Sequence, residues 1–549
     1  MKSNRPTGML FVGAIAAILA GTSRADPPYW HREIVDAGGR GCGQWCSLGF
    51  DPNGRPAIVY VDEDDALAYA WRDDTGPTPV WVKEIIPDEY HLARCSLAFH
   101  PDGYPAVTYC YWDPIDPNDP NDCDKWSFRY AQRPGDTWQF SARVHPWLDL
   151  SLWPILHPVG RGQLAFEAEG SPWVLSNISS IQSGAGVCAT PLGSPGGDWA
   201  YGFIDTAEGP CGDHIGRLSL ALGPTGLPAA AYRHTDCKLE PYSGLRYAEY
   251  DGAPLDPNYD WPHEDVLPDP CGSSDYRYHA PSLAFAPDDT PAIAFAGKGA
   301  DDVWRVTFGQ RTAGVGWSFR HVTDQLGAIG ELLPPDLCLA YRVDGNPGIS
   351  FYDNRDALSR PLMYAWLDPN DPNDPNGVWQ VRAVDWIGNN GSYHSLASDP
   401  NGMPAVAYYD DTDGRLIYAV TSAVPDTYTL ILGTTQGGGT VEADPGVDPN
   451  WDAYVYGTWV ALVATPDDNR KFSRWLIYDP NHPGDANYAD QDSNNPAYVV
   501  MDRDRQVDAV FVCSSGGGLG IPLVVATAGL VLLKLCVGLR LRRRGGQQV

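Results

Sequence analysis

The sequence predicts an all-β protein, and three observations carry that prediction. The 549 residues include 58 Gly and 49 Pro, which interrupt helices and populate turns. Short apolar runs alternate with Asp-Pro, Asn-Gly and Asp-Gly turn sequences. One phrase of this kind recurs along the chain, which is typical of a repeat architecture.

The recurring phrase predicts a β-hairpin. SLGFDPNGRPAIVY at 47–60 returns as SLAFHPDGYPAVTY at 96–109. Pro presets φ in the turn, and Gly or Asn accepts a left-handed conformation there. Further copies begin at the equivalent positions Ser219, Ser282, Cys338 and Ser395, with a weaker copy at Gln163. The chain therefore holds seven copies, each starting with two short strands.

Two more strands complete each repeat. The third has a Leu-x-Tyr-Ala pattern, as at 67–70 and 416–419. The fourth begins with a Trp, and these residues are Trp81, Trp138, Trp199, Trp261, Trp317 and Trp379. Six such strands follow seven hairpins, and the missing one is WHREIVD at 30–36.

This count predicts a seven-bladed β-propeller over residues 26–424. The N-terminal strand would complete the seventh blade and leave no unpaired edge. The alternative is an open β-solenoid, which would not need that strand. The seven repeat Trp residues are interpreted as packing between blades.

The repeat phrase resembles repeats of secreted bacterial propellers that are loosely sialidase-like. Sialidase Asp-boxes read Ser-x-Asp-x-Gly-x-Thr-Trp, and none occurs in this sequence. We therefore transfer no catalytic residue from that family.

Both terminal segments are predicted to direct the location of the protein. Residues 1–25 combine Lys2 and Arg5, an apolar run and a Ser-Arg-Ala site, which predicts a cleaved signal peptide. Residues 513–549 hold a Gly-rich linker, an apolar run at 519–539 and an Arg-rich tail. The run is long enough for a transmembrane helix with a cytoplasmic C-terminus. The segment also resembles bacterial C-terminal sorting signals, so processing by a membrane protease is the alternative to a permanent anchor.

Residues 425–512 predict a separate β-rich module. Its ordered motifs are a Gly-rich turn at 437–446, YGTWVALVATP at 456–466, FSRW at 472–475, Asn495-Pro496, and a last strand ending at Phe511. This series resembles the divergent InlB B-repeat family of bacterial surface proteins. The resemblance implies a stalk or adhesion module and not an enzyme.

Ten of the twelve cysteines lie in the repeat region. In an exported protein they predict disulfides on the face that carries the 2–3 and 4–1 loops. The candidate pairs are Cys110–Cys123, Cys188–Cys211 and Cys237–Cys271. A cysteine metal site is the alternative, although no C-x-x-C pair is present.

Acidic residues gather in the same loops. The candidate binding face comprises Asp62, Asp64, Asp113, Trp112, Trp126, Asp302, Asp353, Asp410 and Asp411. Its Trp residues, with Trp153, could stack on sugars or serve as ordinary packing. Asp116, Asp119 and Asp122 are candidate calcium ligands, and solvated loops are the alternative. No other cofactor is predicted.

The sequence predicts a location better than a reaction. A formal net charge of −31 excludes nucleic acid as a partner. No P-loop, G-x-S-x-G or H-E-x-x-H motif is present. The first hypothesis is an exported cell-surface protein that binds a glycan or protein ligand. The alternatives are an extracellular polysaccharide hydrolase or lyase, and a structural envelope component.

Overall fold

The fold consists of strands, and no helix occurs among the residues that the structure describes. The computed structural model describes residues 29–513 except 40, 89–91, 114–124, 145–156, 159–162, 180–182, 193–197, 209–214, 237–241, 257–259, 268–277, 299–300, 302, 325, 327–336, 343, 354–359, 370–376, 388–392, 437, 479–483 and 485–488. Its contacts divide the chain into two compact units. The first runs to Thr427 and includes Val455–Thr458, and the second comprises Tyr428–Tyr454 and the residues from Trp459 onward.

The described part of the first unit contains seven antiparallel sheets, numbered here by repeat. Sheet 1 is β2 (Gln44–Phe50), β3 (Pro56–Val61), β4 (Leu67–Asp73) and β5 (Val80–Ile85). Sheet 2 is β6 (Leu92–Phe99), β7 (Pro105–Asp113), β8 (Lys125–Gln132) and β9 (Gln139–Arg143). Sheet 3 is β10 (His157–Pro158), β11 (Gln163–Phe166), β12 (Pro172–Ser179), β13 (Ser183–Pro191) and β14 (Trp199–Glu208). Sheet 4 is β15 (Ile215–Leu222), β16 (Pro228–Asp236), β17 (Tyr242–Glu249) and β18 (His263–Leu267).

The last three sheets follow the same plan. Sheet 5 is β19 (Tyr278–Phe285), β20 (Pro291–Lys298), β21 (Trp304–Thr312) and β22 (Gly316–His321). Sheet 6 is β23 (Leu337–Tyr341), β24 (Pro347–Tyr352), β25 (Leu362–Asp368) and β26 (Val378–Asp385). Sheet 7 is β27 (Ser395–Ser398), β28 (Pro404–Asp410), β29 (Arg415–Ser422) and β1 (Tyr29–Asp36). The N-terminal Trp strand thus pairs with the last repeat, with Tyr29 opposite Ser422.

The recurring phrase is explained by its turn. In sheet 1, Oδ1 of Asp51 accepts the N–H groups of Asn53 and Arg55, both at 2.9 Å. Gly54 completes the turn at a φ of 82°, which lies in the left-handed region that favours glycine. The Asp side chain and the Gly of the Asp-Pro-Asn-Gly sequence therefore stabilise the turn between β2 and β3.

The first strands of successive sheets are hydrogen-bonded in a cyclic order. The residue that begins each copy of the phrase accepts the N–H of the Leu in the next sheet. The six bonds are Leu48 N to Ser395, Leu97 to Ser47, Leu164 to Ser96, Leu220 to Gln163, Leu283 to Ser219 and Leu339 to Ser282. Between sheets 6 and 7, Cys338 Sγ donates to the His394 carbonyl at 3.7 Å. Each sheet is thereby linked to the next, and sheet 7 to sheet 1.

The repeat Trp residues pack between sheets, as predicted. Each contacts the aromatic residue in the middle of the third strand of the preceding sheet, with ring centroids 5.3 to 5.7 Å apart. The pairs are Trp30–Tyr364, Trp81–Tyr418, Trp138–Tyr69, Trp199–Tyr130, Trp317–Tyr247 and Trp379–Phe308. Trp261 packs on Tyr250 of its own sheet instead, because sheet 3 has Cys188 at the aromatic position.

The second unit has its own apolar core. Its strands, with two short ones at the unit boundary, are β30 (Thr427–Tyr428), β31 (Leu430–Gln436), β32 (Gly439–Asp444), β33 (Tyr454–Val455), β34 (Trp459–Pro466), β35 (Arg470–Tyr478), β36 (Ala489–Asp492), β37 (Ala497–Val500) and β38 (Arg505–Cys513). One sheet has the order β31-β38-β35-β36, with β31 parallel to β38, and the other the order β32-β34-β37. The fully buried Trp475 lies in the core with Val460 and Phe511.

The motif residues of the second unit connect its two sheets. The Asn495 amide donates to the Ala464 carbonyl at 2.7 Å and accepts the Ala464 N–H at 2.9 Å. Trp475 Nε1 donates to the Asn494 carbonyl at 3.1 Å. The Asn-Pro and Arg-Trp motifs thus bond the segment before β37 to strands of both sheets.

Candidate functional site

The predicted acidic face is only partly within the described residues. The structure gives side chains for Asp62, Asp64, Asp353, Asp410 and Asp411. It gives the main chain alone for Trp112, Asp113 and Trp126, with Trp112 opposite Trp126 in the β7–β8 pair. The other candidates lie outside the described residues, and they are Asp302, Trp153 and the calcium candidates Asp116, Asp119 and Asp122.

Asp62 and Asp410 each hold the turn that they begin. Oδ1 of Asp62 accepts the N–H groups of Asp64 and Ala66 at 3.0 and 2.8 Å. Oδ1 of Asp410 accepts those of the second and third residues after it, at 3.0 and 3.2 Å. Its Oδ2 pairs with Arg415 at 2.8 Å. These carboxylates have a structural role of the kind common at Asp in turns. Their role as ligand-binding groups stays a prediction.

The predicted disulfides also stay predictions, because Cys123, Cys211, Cys237 and Cys271 lie outside the described residues. The sequence places Cys188 near a 2–3 loop, and the structure shows that this placement is wrong. Cys188 lies inside β13 opposite Leu175, fully buried, at the position where other repeats have Tyr. The weak third copy of the phrase carries no Leu-x-Tyr-Ala pattern, so the sequence could not assign Cys188 to the third strand.

Four buried aspartates that the sequence analysis did not select recur at sheet junctions. Each follows a repeat Trp by six or seven residues and accepts the hydroxyl of a Tyr in the second strand of the next sheet. The pairs are Tyr60–Asp36 at 2.6 Å, Tyr232–Asp205 at 2.9 Å, Tyr408–Asp385 at 2.7 Å and Tyr109–Asp88. A Lys or Arg faces each carboxylate, and they are Lys83, Arg129, Arg246 and Arg32.

These clusters are suited to holding sheets together and poorly suited to catalysis. The four carboxylate side chains are at most 8% exposed. Burial and the neighbouring carboxylate raise the pKa of Tyr60, Tyr232 and Tyr408 above the ordinary value. Arg32 acts in the opposite direction on Tyr408, but the net change in that pKa is still upward. The phenols therefore remain protonated donors at neutral pH.

A row of three side chains at the start of the first strands is the candidate site. Tyr393, Trp45 and Arg94 each stand two residues before the repeat Ser, in sheets 7, 1 and 2. The rings of Tyr393 and Trp45 have centroids 4.4 Å apart. The Arg94 guanidinium carbon lies 5.3 Å from the Trp45 ring centroid. All three side chains are partly exposed.

The backbone at this row is strained. Trp45, Arg94 and Tyr393 have φ values of 57°, 56° and 56°. The other described non-glycine residues with positive φ are Asp or Asn, which tolerate that conformation. A bulky residue there costs about 1–3 kcal/mol, and such strain concentrates at functional sites. In sheets 1 and 2 a β-bulge at this point redirects the side chain.

Buried thiols hold the carbonyl groups of the row. Cys46 Sγ donates to the Tyr393 carbonyl at 2.6 Å, and Cys95 Sγ donates to the Trp45 carbonyl at 2.9 Å. Both cysteines are completely buried. Sheets 1 and 2 thus each hold the strained residue of the sheet before them, Tyr393 and Trp45.

The row combines two aromatic rings with one guanidinium group. Aromatic faces carry a negative quadrupole that attracts the partly positive C–H face of a pyranose ring. A guanidinium donates several hydrogen bonds in a fixed plane. The described residues contain no group of three or more His, Cys, Asp or Glu side chains that could hold a metal ion.

Comparison with known families identifies the second unit. Residues 428–515 match the model of the divergent InlB B-repeat domain, which confirms the resemblance read from the motifs. A search of curated proteins returned no match.

Three solved structures illustrate how distant the similarity of the first unit is. The NanB sialidase of Streptococcus pneumoniae is 12% identical, with 71% of this chain and 70% of that chain covered and a TM-score of 0.36. An ulvan lyase is 11% identical, with coverages of 72% and 95% and a TM-score of 0.44. A protein of unknown function from Dyadobacter fermentans is 11% identical, with coverages of 64% and 98% and a TM-score of 0.37. At these scores we transfer no residue or activity.

No helix among the described residues is long and apolar enough to cross a membrane. The predicted span at 519–539 lies outside those residues.

Proposed function

We propose that this chain is an exported glycan-binding protein whose seven sheets form a closed seven-bladed β-propeller. The cyclic hydrogen bonds between first strands and the β1–β29 pairing support that architecture. The Tyr393–Trp45–Arg94 row is the proposed binding site. Its strained backbone is the single observation that carries the proposal, since residues held in such conformations cluster at active sites and ligand-binding sites.

The chemistry of the row favours a glycan over a protein ligand. Two tilted rings at 4.4 Å present a narrow aromatic surface, which suits a sugar ring better than a broad protein interface. The Arg94 guanidinium beside Trp45 can donate to ring or exocyclic oxygens. The proposal therefore names an extracellular polysaccharide as the partner.

The remaining segments supply the location. In this proposal residues 1–25 direct export, and residues 513–549 anchor the chain in the membrane or are removed by a sorting protease. The B-repeat-like unit then spaces the propeller from the envelope. Detection of the first unit on intact cells by protease shaving tests this location.

The proposal is a binding function, and a polysaccharide hydrolase or lyase is the alternative. The described Asp–Tyr clusters do not favour the alternative, because their carboxylates are buried and recur at four junctions. A catalytic group must reach its substrate, whereas these groups contact neighbouring strands.

A glycan array probed with the full chain tests the proposal. We expect binding to one polysaccharide class without release of products. The Trp45→Ala variant should bind about tenfold or more weaker, a loss of roughly 1.4 kcal/mol. Trp451→Ala is the matched control, because Trp451 is a 38% exposed Trp of the second unit.

Two results would overturn the proposal. Equal binding by the parent chain and by a folded Trp45→Ala variant would exclude the row as the site. Product release from the bound glycan would replace binding with catalysis. An unfolding curve for each variant separates lost binding from lost structure.

A further inference from the structure

The junction between sheets 5 and 6 contains a cleft. Its volume is about 320 Å³, at the small end of the range for ligand pockets, roughly 300–1,000 Å³. The residues that line it and matter below are Asp288, Phe308, Gln310, Tyr341, Asn346 and Leu367. All are described residues of the first unit.

The strand register shows which side chain of sheet 5 borders the cleft. Gln310 stands opposite Ala292, in the position that Trp71 takes opposite Ala57 in sheet 1. Trp366 takes the same position in sheet 6, opposite Gly348. At both of those positions an Arg from the next strand or sheet lies over the indole. Sheet 5 therefore has a smaller side chain at this position than sheets 1 and 6.

A phenol hydroxyl lies in the cleft at a position where four other sheets have Phe. Tyr341 pairs with Pro347 at the position of Phe50, Phe99, Phe166 and Phe285 in other sheets. Its Oη is buried and makes no hydrogen bond with any described residue. Water or a ligand is the usual partner of such a group, since buried polar groups are nearly always hydrogen-bonded.

A second unsatisfied donor lies at the same junction. Trp379 packs on Phe308 with ring centroids 5.4 Å apart, and its buried Nε1 has no partner among the described residues. At three other junctions the equivalent indole donates to a Glu three residues after the preceding repeat Trp, as Trp317 does to Glu264 at 2.9 Å. Here that position is Arg320, which cannot accept a hydrogen bond.

We propose that the cleft between sheets 5 and 6 binds one neutral monosaccharide unit. The unsatisfied Tyr341 hydroxyl lines the cleft and requires a partner, and sugar hydroxyl groups are acceptors and donors at once. Gln310 and Asn346 supply carboxamides that do both, and Asp288 supplies an acceptor. A carboxylate among the lining residues disfavours an anionic ligand. Phe308 and Leu367 provide the apolar contact for the sugar ring.

This site is separate from the aromatic row and does not depend on it. The cleft is lined by hairpin turns between first and second strands, at Pro287 and Gly345. The row stands at the opposite end of the first strands, before the repeat Ser. The two sites would therefore contact different parts of a glycan or different glycans.

Saturation-transfer NMR and calorimetric titration of the full chain test the proposal. The neutral probes are the methyl glycosides of glucose, galactose, mannose and N-acetylglucosamine. Methyl glucuronide is the anionic probe. We expect at least one neutral glycoside to bind and the glucuronide to bind more weakly. The Gln310→Trp variant should lose about tenfold or more in affinity and keep or raise its melting temperature, since Trp fills this position elsewhere.

The control is the same substitution at the same register position of sheet 2, Gln132→Trp, which should leave binding unchanged. Asn346→Ser is the second variant, because its small polar change keeps the test valid if Gln310→Trp does not fold. The proposal is overturned if no neutral glycoside binds, if the glucuronide binds best, or if folded Gln310→Trp and Asn346→Ser bind as the parent does. A Trp45→Ala variant that still binds the glycoside separates this site from the proposed function of the row.

Discussion

The junction between sheets 7 and 1 and the junction between sheets 5 and 6 follow one plan with different residues. At the first, Trp81 Nε1 donates to Glu33 at 2.8 Å, and Tyr60 donates to Asp36 at 2.6 Å. At the second, the corresponding positions carry Arg320 for Glu33 and Thr323 for Asp36. Both polar connections are therefore replaced, and the junction contains a cleft lined by Tyr341 and, outside that lining, the buried Trp379 Nε1 without a described partner.

The difference shows that the repeat determines where the strands lie. The individual side chains determine whether polar contacts close a junction. Where Tyr is kept in the second strand, Asp stands opposite it in the preceding sheet. In sheets 5 and 6 that Tyr is replaced by Phe295 and Phe351, which have no hydroxyl group to donate. Each of the four phenols therefore has a carboxylate acceptor, which avoids a buried polar group without a partner.

The largest effect is expected from Asp36→Ala. The change leaves the Tyr60 hydroxyl buried without an acceptor, so we expect a loss of about 2–4 kcal/mol in the free energy of unfolding. Thr323→Ala at the equivalent position removes one bond to the Val306 N–H and should cost about 0.5–1.5 kcal/mol. Urea unfolding of both variants measures the difference. Equal losses would contradict the comparison.

Glu33→Ala should have an intermediate effect. It leaves the Trp81 indole N–H without its acceptor, and we expect a loss of about 1–2 kcal/mol. The matched change at the other junction is Arg320→Ala, where Trp379 has no acceptor to lose, so the free energy should change by less than about 1 kcal/mol. Thermal and urea unfolding compare the two. A larger loss from Arg320→Ala would show that the Glu–Trp bond does not close the junction.

The closed junction should also be sensitive to acid. Burial raises the pKa of Asp36, but hydrogen bonds from Lys83 and Tyr60 outweigh it and leave the pKa below the ordinary value. The stabilisation is therefore present above the unfolded pKa, about 3.9, and is lost as the pH falls through the folded value. Stability measured from pH 7 to pH 3 should fall less steeply in Asp36→Asn than in the parent chain.

Asp410 supplies a control of opposite sign for that measurement. Burial raises its pKa above the ordinary value even though Arg415 lowers it. Ionisation of Asp410 thus costs stability as the pH rises from about 3.9 toward the folded pKa. Asp410→Asn should remove that loss of stability, because Asn does not ionise. Two variants with the same pH profile would refute both assignments.

The smallest effect is expected from Tyr341→Phe at the open junction. The change removes a hydroxyl that makes no described hydrogen bond, so stability should stay level or rise by up to about 1 kcal/mol. Tyr60→Phe at the closed junction is the contrast and should cost about 1–2 kcal/mol. A clear loss from Tyr341→Phe in the absence of sugar would mean that the hydroxyl has a structural partner.

The repeat sequence predicts the fold better than it predicts the site. The hairpin turn at Asp51 and the N-terminal strand that ends at Asp36 follow from local chemistry and from counting. The left-handed row could not be predicted, because Trp45, Arg94 and Tyr393 share a backbone conformation and no side-chain chemistry. The Asp–Tyr pairs were present in the sequence as Asp following Trp, but the register between neighbouring sheets was needed to recognise them.

The pairing of β1 with β29 also governs when the first unit can finish folding. Tyr29 and Ser422 are partners although 393 positions separate them. At a synthesis rate of about 5–20 residues per second, the first strand would wait roughly 20–80 s for its partner to be made. Until then β1 has no partner strand, and its unpaired N–H and C=O groups are available to any other chain. The strand that emerges first is therefore the last to be placed, and the interval before it is placed is the period of greatest risk of mispairing.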